Sequence, residues 1–222
     1  MLHYRLHKDP RSSHQQIARL LNQLRPEPIL DVGAAQGFLG RLLQGANLTI
    51  DAVEPNPQWA EHARPFYRNV FPSTVENADL PPKTYNAIVC ADVLEHLIDP
   101  LATLRRLRTT AADNAVFIIS LPNIAHLAIR MMLLTGQFPQ MDRGPLDRTH
   151  LHFYTRDTAQ DLLRDAGLRV EQVLTTPVPL DELWRRGESH PLFKATTRMQ
   201  HALIDIAPRL FAFQWVFVAR QP

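Results

Sequence analysis

The hydrophobic and polar positions between residues 29 and 120 alternate between strand-like and helix-like patterns. Four short apolar runs have the length of buried strands: residues 29–32, 48–53, 86–91 and 115–120. In the segments between them, Asn56-Pro57 and Asp99-Pro100 each predict a helix start, because a capping side chain precedes a proline at the first helical position. Short apolar strands separated by helices are typical of a buried parallel sheet with right-handed crossovers. The predicted fold is therefore α/β and doubly wound.

The segments on either side of this region have less regular patterns. An N-terminal lead-in over residues 1–28 is predicted to end in a helix whose apolar residues have helical spacing: Ile17, Leu20, Leu21 and Leu24. After residue 150, the pattern predicts a helix over 156–166 and strands over 168–175 and 213–219. These two strands add to the predicted sheet.

Two long connections remain outside the predicted helices and strands that form the sheet. We expect a single domain over residues 1–222, with insertions at 122–154 and 177–212. Connections of this length inside a compact domain usually have a function or are mobile. We therefore expect the two insertions to form an acceptor site or a lid.

Composition limits the classes of partner and location. With 24 Lys plus Arg against 22 Asp plus Glu, the formal charge is only +2, so we expect no nucleic-acid partner. Cys90 is the only cysteine, which excludes an intrachain disulfide. No apolar run could span a membrane, and residues 1–10 are too polar for a signal peptide, so the predicted location is cytoplasmic. The oligomeric state stays open.

A glycine-containing turn, residues 33–37, connects the first predicted strand to the helix that follows it. Glycine allows a backbone to approach a ligand closely, and the first turn of a helix offers free N–H groups. Glu54 ends the second predicted strand, twenty-three residues after Asp31, where a carboxylate can accept hydrogen bonds from ribose hydroxyls. The pattern predicts a cofactor that contains a nucleoside. A dinucleotide is disfavoured, because the G-x-G-x-x-G spacing would place Phe38 where a small residue is required.

Several motifs resemble those of class I S-adenosylmethionine (SAM)-dependent methyltransferases, in the small-molecule branch often called type 11/12 or 23. They are ILDVGAAQG at 29–37, VEP at 53–55, NADL at 77–80, ADVLEHL at 91–97 and LDRTHLHFYT at 146–155. The resemblance covers roughly residues 25–175, and it implies a seven-stranded, mostly parallel sheet with helices on both faces. Ala35 replaces the middle glycine of the usual motif, and we expect it to weaken cofactor binding.

The resemblance implies SAM as cofactor and S-adenosylhomocysteine as product. Asp31 would order the glycine turn, Glu54 would hold the ribose hydroxyls, and Asp79 would accept a hydrogen bond from the adenine amino group. The complete set of implied cofactor-binding positions is Asp31, Gly33, Ala35, Gly37, Glu54, Pro55, Asp79, Leu80, Asp92 and Val93.

Transfer to a hydroxyl group usually needs a general base, most often a histidine. His150 is the first candidate because it lies in the DRTH segment, and His126 is the second; a structural role for His150 fits the sequence equally well. Asp147, His150 and His152 form a weak metal-ligand set, so we expect no metal.

The acceptor is predicted to be a small molecule, and the family segment from LPN to DRTHLHFYT suggests a saccharide or a polysaccharide precursor. Candidate contacts are basic or aromatic side chains: Arg130, Arg143, Arg148, Phe138, Phe153, Tyr154 and Trp184. The leading hypothesis is O-methylation by a SAM-dependent methyltransferase. The alternatives are a SAM-binding regulator or subunit without catalysis and, less favoured, a nucleotide-dependent oxidoreductase.

Overall fold

A computed structural model describes residues 7–183 and 190–221. Its strands are β1 (Ile29–Val32), β2 (Ile50–Val53), β3 (Asn69–Phe71), β4 (Tyr85–Ala91), β5 (Ala111–Pro122), β6 (Arg169–Thr176) and β7 (Gln214–Arg220). Its helices are α1 (Ser13–Leu24), α2 (Phe38–Leu42), α3 (Pro57–Ala63), α4 (Pro100–Thr110), α5 (Leu127–Leu134), α6 (Arg156–Asp165), α7 (Leu180–Leu183), α8 (Pro191–Ile206) and α9 (Pro208–Phe211).

All seven strands form one sheet in the order β3-β2-β1-β4-β5-β7-β6. The pairs from β3 to β5 are parallel, whereas β7 is antiparallel to both β5 and β6. The order reverses between β1 and β4, which is where ligands bind in open α/β sheets. The doubly wound, mostly parallel fold is thus confirmed.

One strand, β3, is missing from the strands predicted by the hydrophobic pattern. It has only three residues, none of them fully buried, and it pairs only with β2 at the edge of the sheet. Arg68, the residue before it, donates two hydrogen bonds of 2.9 and 2.6 Å to the Asp51 carboxylate on β2. A polar contact therefore anchors this edge, and a polar contact produces no hydrophobic pattern.

The predicted helix starts at Asn56 and Asp99 are confirmed. The Asn56 side-chain oxygen accepts hydrogen bonds from the N–H groups of Gln58 and Trp59, and that of Asp99 accepts one from Ala102. The insertion at 122–154 contains one helix, α5. Helix α5 begins only at Leu127, and Ile129 is its only buried residue.

The core lies on both faces of the sheet. On one face, Ile17 and Leu21 of α1 pack against residues such as Ile29, and on the other face α4 and α6 cover the sheet with residues such as Leu104 and Leu163. Burying about ten large side chains completely contributes on the order of 20 kcal/mol of hydrophobic stabilisation before chain entropy is counted. This core holds the strand ends in place at the candidate site.

The N-terminal lead-in contacts the insertion at 177–212. Arg11 donates to Asp205 at 2.7 Å, and the Asp9 carboxylate lies 3.1 Å from His201. The first six residues of the lead-in and residues 184–189 of the insertion, which include Trp184, lie outside the described residues. Within 7–183 and 190–221, the structure contains no helix with the length and apolar character needed to cross a membrane.

Candidate cofactor and acceptor site

The carboxyl ends of β1, β2 and β4 lie side by side, and the segments that follow them form the candidate site. The glycine turn follows β1, Glu54 follows β2, and Asp92 and Val93 follow β4. The structure therefore brings together three of the motifs that the sequence separates by up to sixty residues.

Gly33 lies directly against the loop that follows β4. Its φ is +72°, and its N–H donates to the Val53 carbonyl at 2.8 Å. A Cβ atom at this position would lie 2.5 Å from Cγ2 of Val93, which is closer than real atoms pack. Both the backbone conformation and the available space therefore require glycine.

Ala35 has a left-handed backbone conformation with φ +47°. Its N–H donates to Oε2 of Glu54 at 2.7 Å, so the conformation is part of a contact between the glycine turn and the end of β2. For an L-residue this conformation costs roughly 1–2 kcal/mol. The expectation that Ala35 weakens cofactor binding stays a prediction.

Ala35→Gly should raise the free energy of unfolding of the cofactor-free protein by about 0.5–1 kcal/mol. Relief of the left-handed strain outweighs the roughly 0.5–1 kcal/mol of entropy that glycine loses on folding. Urea titration would measure the change. The matched control is Ala34→Gly, since Ala34 has no positive φ and is buried. Equal destabilisation of both variants would contradict the strain assignment.

Glu54 is only 3% exposed and connects two backbone segments. Its Oε2 accepts from Ala35 N–H at 2.7 Å and its Oε1 accepts from Asn56 N–H at 2.8 Å. Burial raises the pKa of Glu54, while these two hydrogen bonds lower it. Each carboxylate oxygen retains a free lone pair for a ligand hydroxyl. In this structure the turn covers the carboxylate.

Asp31 lies beneath the same turn and is 2% exposed. The Tyr67 hydroxyl donates to Oδ2 of Asp31 at 2.5 Å and accepts from Gly40 N–H at 3.0 Å. Burial raises the pKa of Asp31 to about 7, against the hydrogen bond from Tyr67, which lowers it. Sequence reasoning missed Tyr67, because it lies outside every motif and contacts Asp31 only through the tertiary fold.

Two strands fix Asp92 at the mouth of the site. Its Oδ1 accepts from the Ser120 hydroxyl on β5 at 2.7 Å, and its Oδ2 accepts from the Gln214 side-chain amide on β7 at 2.8 Å. The pKa of His14 on α1 is lowered, because desolvation outweighs the opposing effect of the nearby Asp92 charge. His14, Ser120 and Gln214 were not predicted as site residues.

The implied adenine-binding positions lie in the loop between β3 and β4. Asp79 is exposed there and Leu80 is buried. The Leu80 N–H donates to the Ala78 carbonyl at 3.0 Å. Pro55 is exposed at the end of β2, next to Glu54. The structure thus leaves the Asp79 carboxylate accessible to a ligand.

The two candidate bases have different surroundings. His126 caps α5, where its Nδ1 accepts from Ala128 N–H at 3.3 Å, and burial lowers its pKa. The side chain of His150 is 6% exposed, and its Nε2 lies 3.9 Å from Oε1 of Glu95. Burial and the neighbouring His96 lower the pKa of His150. Both surroundings therefore favour the neutral imidazole.

The side chains of Asp147 and His152, which the sequence spacing groups with His150, form hydrogen bonds with other residues. Asp147 accepts hydrogen bonds from the N–H and the hydroxyl of Thr149, at 2.8 and 2.6 Å, and Nε2 of His152 lies 3.3 Å from the Ile98 carbonyl. Instead, His150 lies beside Glu95 and His96, and its ring centroid is 4.7 Å from that of His96. We call Glu95, His96 and His150 the Glu95 cluster.

A comparison with known proteins identifies the family. The sequence profile of a family described as a methyltransferase domain matches residues 3–173, which is more than half of the chain. The chain belongs to this methyltransferase family. It is an enzyme whose methyl donor is SAM. No curated protein matches its sequence.

Solved structures with low sequence identity have the same fold as this methyltransferase. A SAM-dependent methyltransferase from Archaeoglobus fulgidus has 18% identity and a TM-score of 0.61, over 95% of this chain and 96% of that one. One from Aquifex aeolicus has 18% identity and a TM-score of 0.58, over 97% and 95%. The 1,6-didemethyltoxoflavin-N1-methyltransferase of Burkholderia thailandensis, crystallised with bound 1,6-didemethyltoxoflavin and S-adenosylhomocysteine, has 15% identity and a TM-score of 0.60, over 95% of this chain and 79% of that one.

The proposed acceptor contacts of the methyltransferase are spread over the insertion at 122–154. Arg130 donates to the Ala125 carbonyl at 2.7 Å, and Arg148 forms an ion pair with Asp142. The exposed rings of Phe138 and Phe153 pack edge to face, with centroids 5.4 Å apart. Tyr154 is buried, and Arg143 lies in the same insertion with intermediate exposure.

Proposed function

We propose that this methyltransferase transfers the methyl group of SAM to a hydroxyl group of a small molecule, such as a saccharide or a polysaccharide precursor. One observation carries the proposal: the glycine turn, Glu54 and Asp92 meet at the switch point of the sheet. The Glu95 cluster begins only three residues after Asp92. The donor and the group that activates the acceptor are then neighbours.

In the proposal, the cofactor lies across the ends of β1 and β2. Glu54 accepts hydrogen bonds from the ribose hydroxyls, and Asp79 with the Leu80 backbone binds adenine. The remaining positions hold the methionine part or line the pocket: Asp31, Gly33, Ala35, Gly37, Pro55, Asp92 and Val93. Binding includes an outward movement of the glycine turn, because Ala35 N–H now covers Glu54.

The acceptor side of the proposal favours His150 over His126. Nδ1 of His126 accepts a hydrogen bond from the N–H of Ala128, so this side chain caps the start of α5. His150 packs against the buried Glu95, in a cluster that follows directly on the cofactor site. Positioning and exclusion of water supply much of the rate of methyl transfer, and activation of the hydroxyl supplies the rest. The insertions at 122–154 and 177–212 would enclose the acceptor.

Calorimetry and turnover test the proposal. The full chain should bind S-adenosylhomocysteine with a one-to-one stoichiometry. The enzyme is then incubated with SAM that carries a carbon-13 methyl group and with a mixture of saccharides and other water-soluble hydroxylated metabolites. The labelled methyl group should appear on an oxygen atom. The carbon-13 chemical shift of the product distinguishes a methyl group on oxygen from one on nitrogen. A lack of binding to SAM and its product at high micromolar concentration would refute the cofactor site, and label on nitrogen would refute O-methylation. The predicted cytoplasmic location stays a prediction.

A further inference from the structure

The Glu95 side chain is buried and lacks partners. It is 1% exposed, and among the described residues neither carboxylate oxygen has a hydrogen-bond partner. The 3.9 Å between Oε1 and Nε2 of His150 is too long for a hydrogen bond. Buried polar groups nearly always have a partner, and a buried carboxylate without one is costly. Protonation or a bound cation would remove the cost of this buried charge.

The two imidazole rings of the Glu95 cluster surround the same space. One ligand atom from each of Glu95, His96 and His150 lies within 4.8 Å of the others. Atoms bound to one metal ion at about 2.0–2.2 Å lie about 3–4 Å apart, so a shift of about 1 Å completes the site.

Backbone carbonyls orient both rings. Nδ1 of His150 lies 3.4 Å from the Pro145 carbonyl, and Nδ1 of His96 lies 3.3 Å from the Thr149 carbonyl. Donation from Nδ1 leaves the lone pair of each ring on Nε2. Histidines that bind metals are held in the same way, with the second nitrogen donating to a carbonyl or a carboxylate. The loop is also tied down, because the N–H groups of Leu151 and His152 donate to the Glu95 carbonyl at 2.8 and 3.1 Å.

We propose that Glu95, His96 and His150 bind a divalent first-row transition-metal ion that activates a hydroxyl group of the acceptor. Two imidazoles and one carboxylate suit Mn²⁺, Fe²⁺, Co²⁺ or Zn²⁺ better than Mg²⁺ or Ca²⁺, which prefer oxygen ligands only. Three protein ligands leave coordination positions open, as catalytic sites require. The proposal revises our expectation that the protein has no metal site, and its catalytic part rests on the proposed function.

The metal ion gives His150 a defined role in the reaction. A hydroxyl oxygen of the acceptor binds to the ion and loses its proton to solvent water, because a bound cation lowers the pKa of that hydroxyl. A lone pair of this oxygen then forms the new O–CH₃ bond as the C–S bond of the sulfonium breaks. The electron pair of the C–S bond goes to sulfur, which leaves as the neutral thioether S-adenosylhomocysteine. The substrate class is therefore a hydroxylated molecule that can ligate a cation.

Titration of the chelator-treated full chain with Co²⁺ alone, followed by visible absorption, tests the site. One equivalent should bind, with a Kd on the order of 1 μM or below, and Mn²⁺ or Zn²⁺ should compete. His96→Ala and Glu95→Gln should each weaken binding by at least about 100-fold. The matched control is His152→Ala, since His152 is adjacent but directed at the Ile98 carbonyl, and its Kd should change less than about twofold.

Two outcomes overturn the metal site. Either none of the three ions binds at 100-fold excess, in which case a proton satisfies Glu95, or Co²⁺ binding survives both His96→Ala and Glu95→Gln. Calorimetry of the chelator-treated protein with S-adenosylhomocysteine distinguishes a failure of the metal site from a failure of the proposed function. If the nucleoside binds and the metal does not, only the metal site fails; if Co²⁺ binds and the nucleoside does not, the proposed function fails and the metal loses its catalytic role.

Discussion

Glu54→Ala should raise the Kd for S-adenosylhomocysteine by about 100-fold or more. Two hydrogen bonds from ribose hydroxyls to a charged carboxylate contribute roughly 1.5–3 kcal/mol each, and every 1.4 kcal/mol is a factor of ten in Kd. The variant also loses the contacts with Ala35 N–H and Asn56 N–H that shape the rim of the site. Isothermal titration calorimetry measures the affinity, and circular dichroism confirms that the variant is folded.

A control at the same edge of the sheet distinguishes the ribose contact from a loss of charge. Glu61 is exposed on α3 and pairs with Arg64, so Glu61→Ala removes one carboxylate without touching the site. The Kd of this variant for S-adenosylhomocysteine should stay within about twofold of that of the natural protein. Equal affinities in Glu54→Ala and Glu61→Ala would show that the ribose assignment is wrong.

Without cofactor, the Asp31→Asn variant should gain stability relative to the natural protein as the pH rises from 4 to 8. The folded state raises the pKa of Asp31 from 3.8 to about 7, so the folded state binds a proton more tightly than the unfolded state does. A raised carboxyl pKa means that stability is full below the unfolded value and falls as pH rises between the two values. The loss in the free energy of unfolding approaches about 4 kcal/mol at and above pH 7. A protein with asparagine at this position does not lose this stability, because asparagine does not titrate.

Thermal unfolding of both proteins across this range measures the effect. For a domain of this size, about 4 kcal/mol corresponds to a shift in Tm on the order of 10 °C, so the Tm difference between Asp31→Asn and the natural protein should grow with pH.

Asp51 on the adjacent strand is the control of opposite sign. Burial raises its pKa, but hydrogen bonds from Arg68 and Tyr85 outweigh this and lower it, so Asp51→Asn should cost most stability at neutral pH. A Tm difference for Asp31→Asn that is independent of pH would contradict the raised pKa.

The parts of the fold that the sequence predicted are those specified by local patterns. The apolar run of β1 followed by Gly33 predicts a strand and a turn, because a positive φ next to a close contact requires glycine. Asn56 and Asp99 predict helix starts, because a cap acts over three residues. Strand β3 could not be predicted in this way, since a three-residue edge strand has no buried periodicity.

The part of the candidate site that could be predicted lies at the carboxyl ends of strands. Asp31 lies in β1, and Glu54 and Asp92 follow β2 and β4, so their convergence could be predicted from the order of the sheet. Tyr67 and Asp31 are 36 residues apart, and His150 lies 55 residues after Glu95. No local pattern predicts such pairs, because they form only when the chain has folded. The proximity of Glu95, His96 and His150 therefore required the structure.

The hydrogen bond between Ala35 N–H and Glu54 makes the protein its own competitor at the proposed ribose position. If the proposed ribose contact with Glu54 forms only when the turn is displaced, the apparent affinity of the ligand is reduced to the fraction of molecules in that state. Cosubstrate uptake is then gated by the backbone. At saturating concentration the opening rate of the turn, rather than diffusion, would then set how quickly the nucleoside enters.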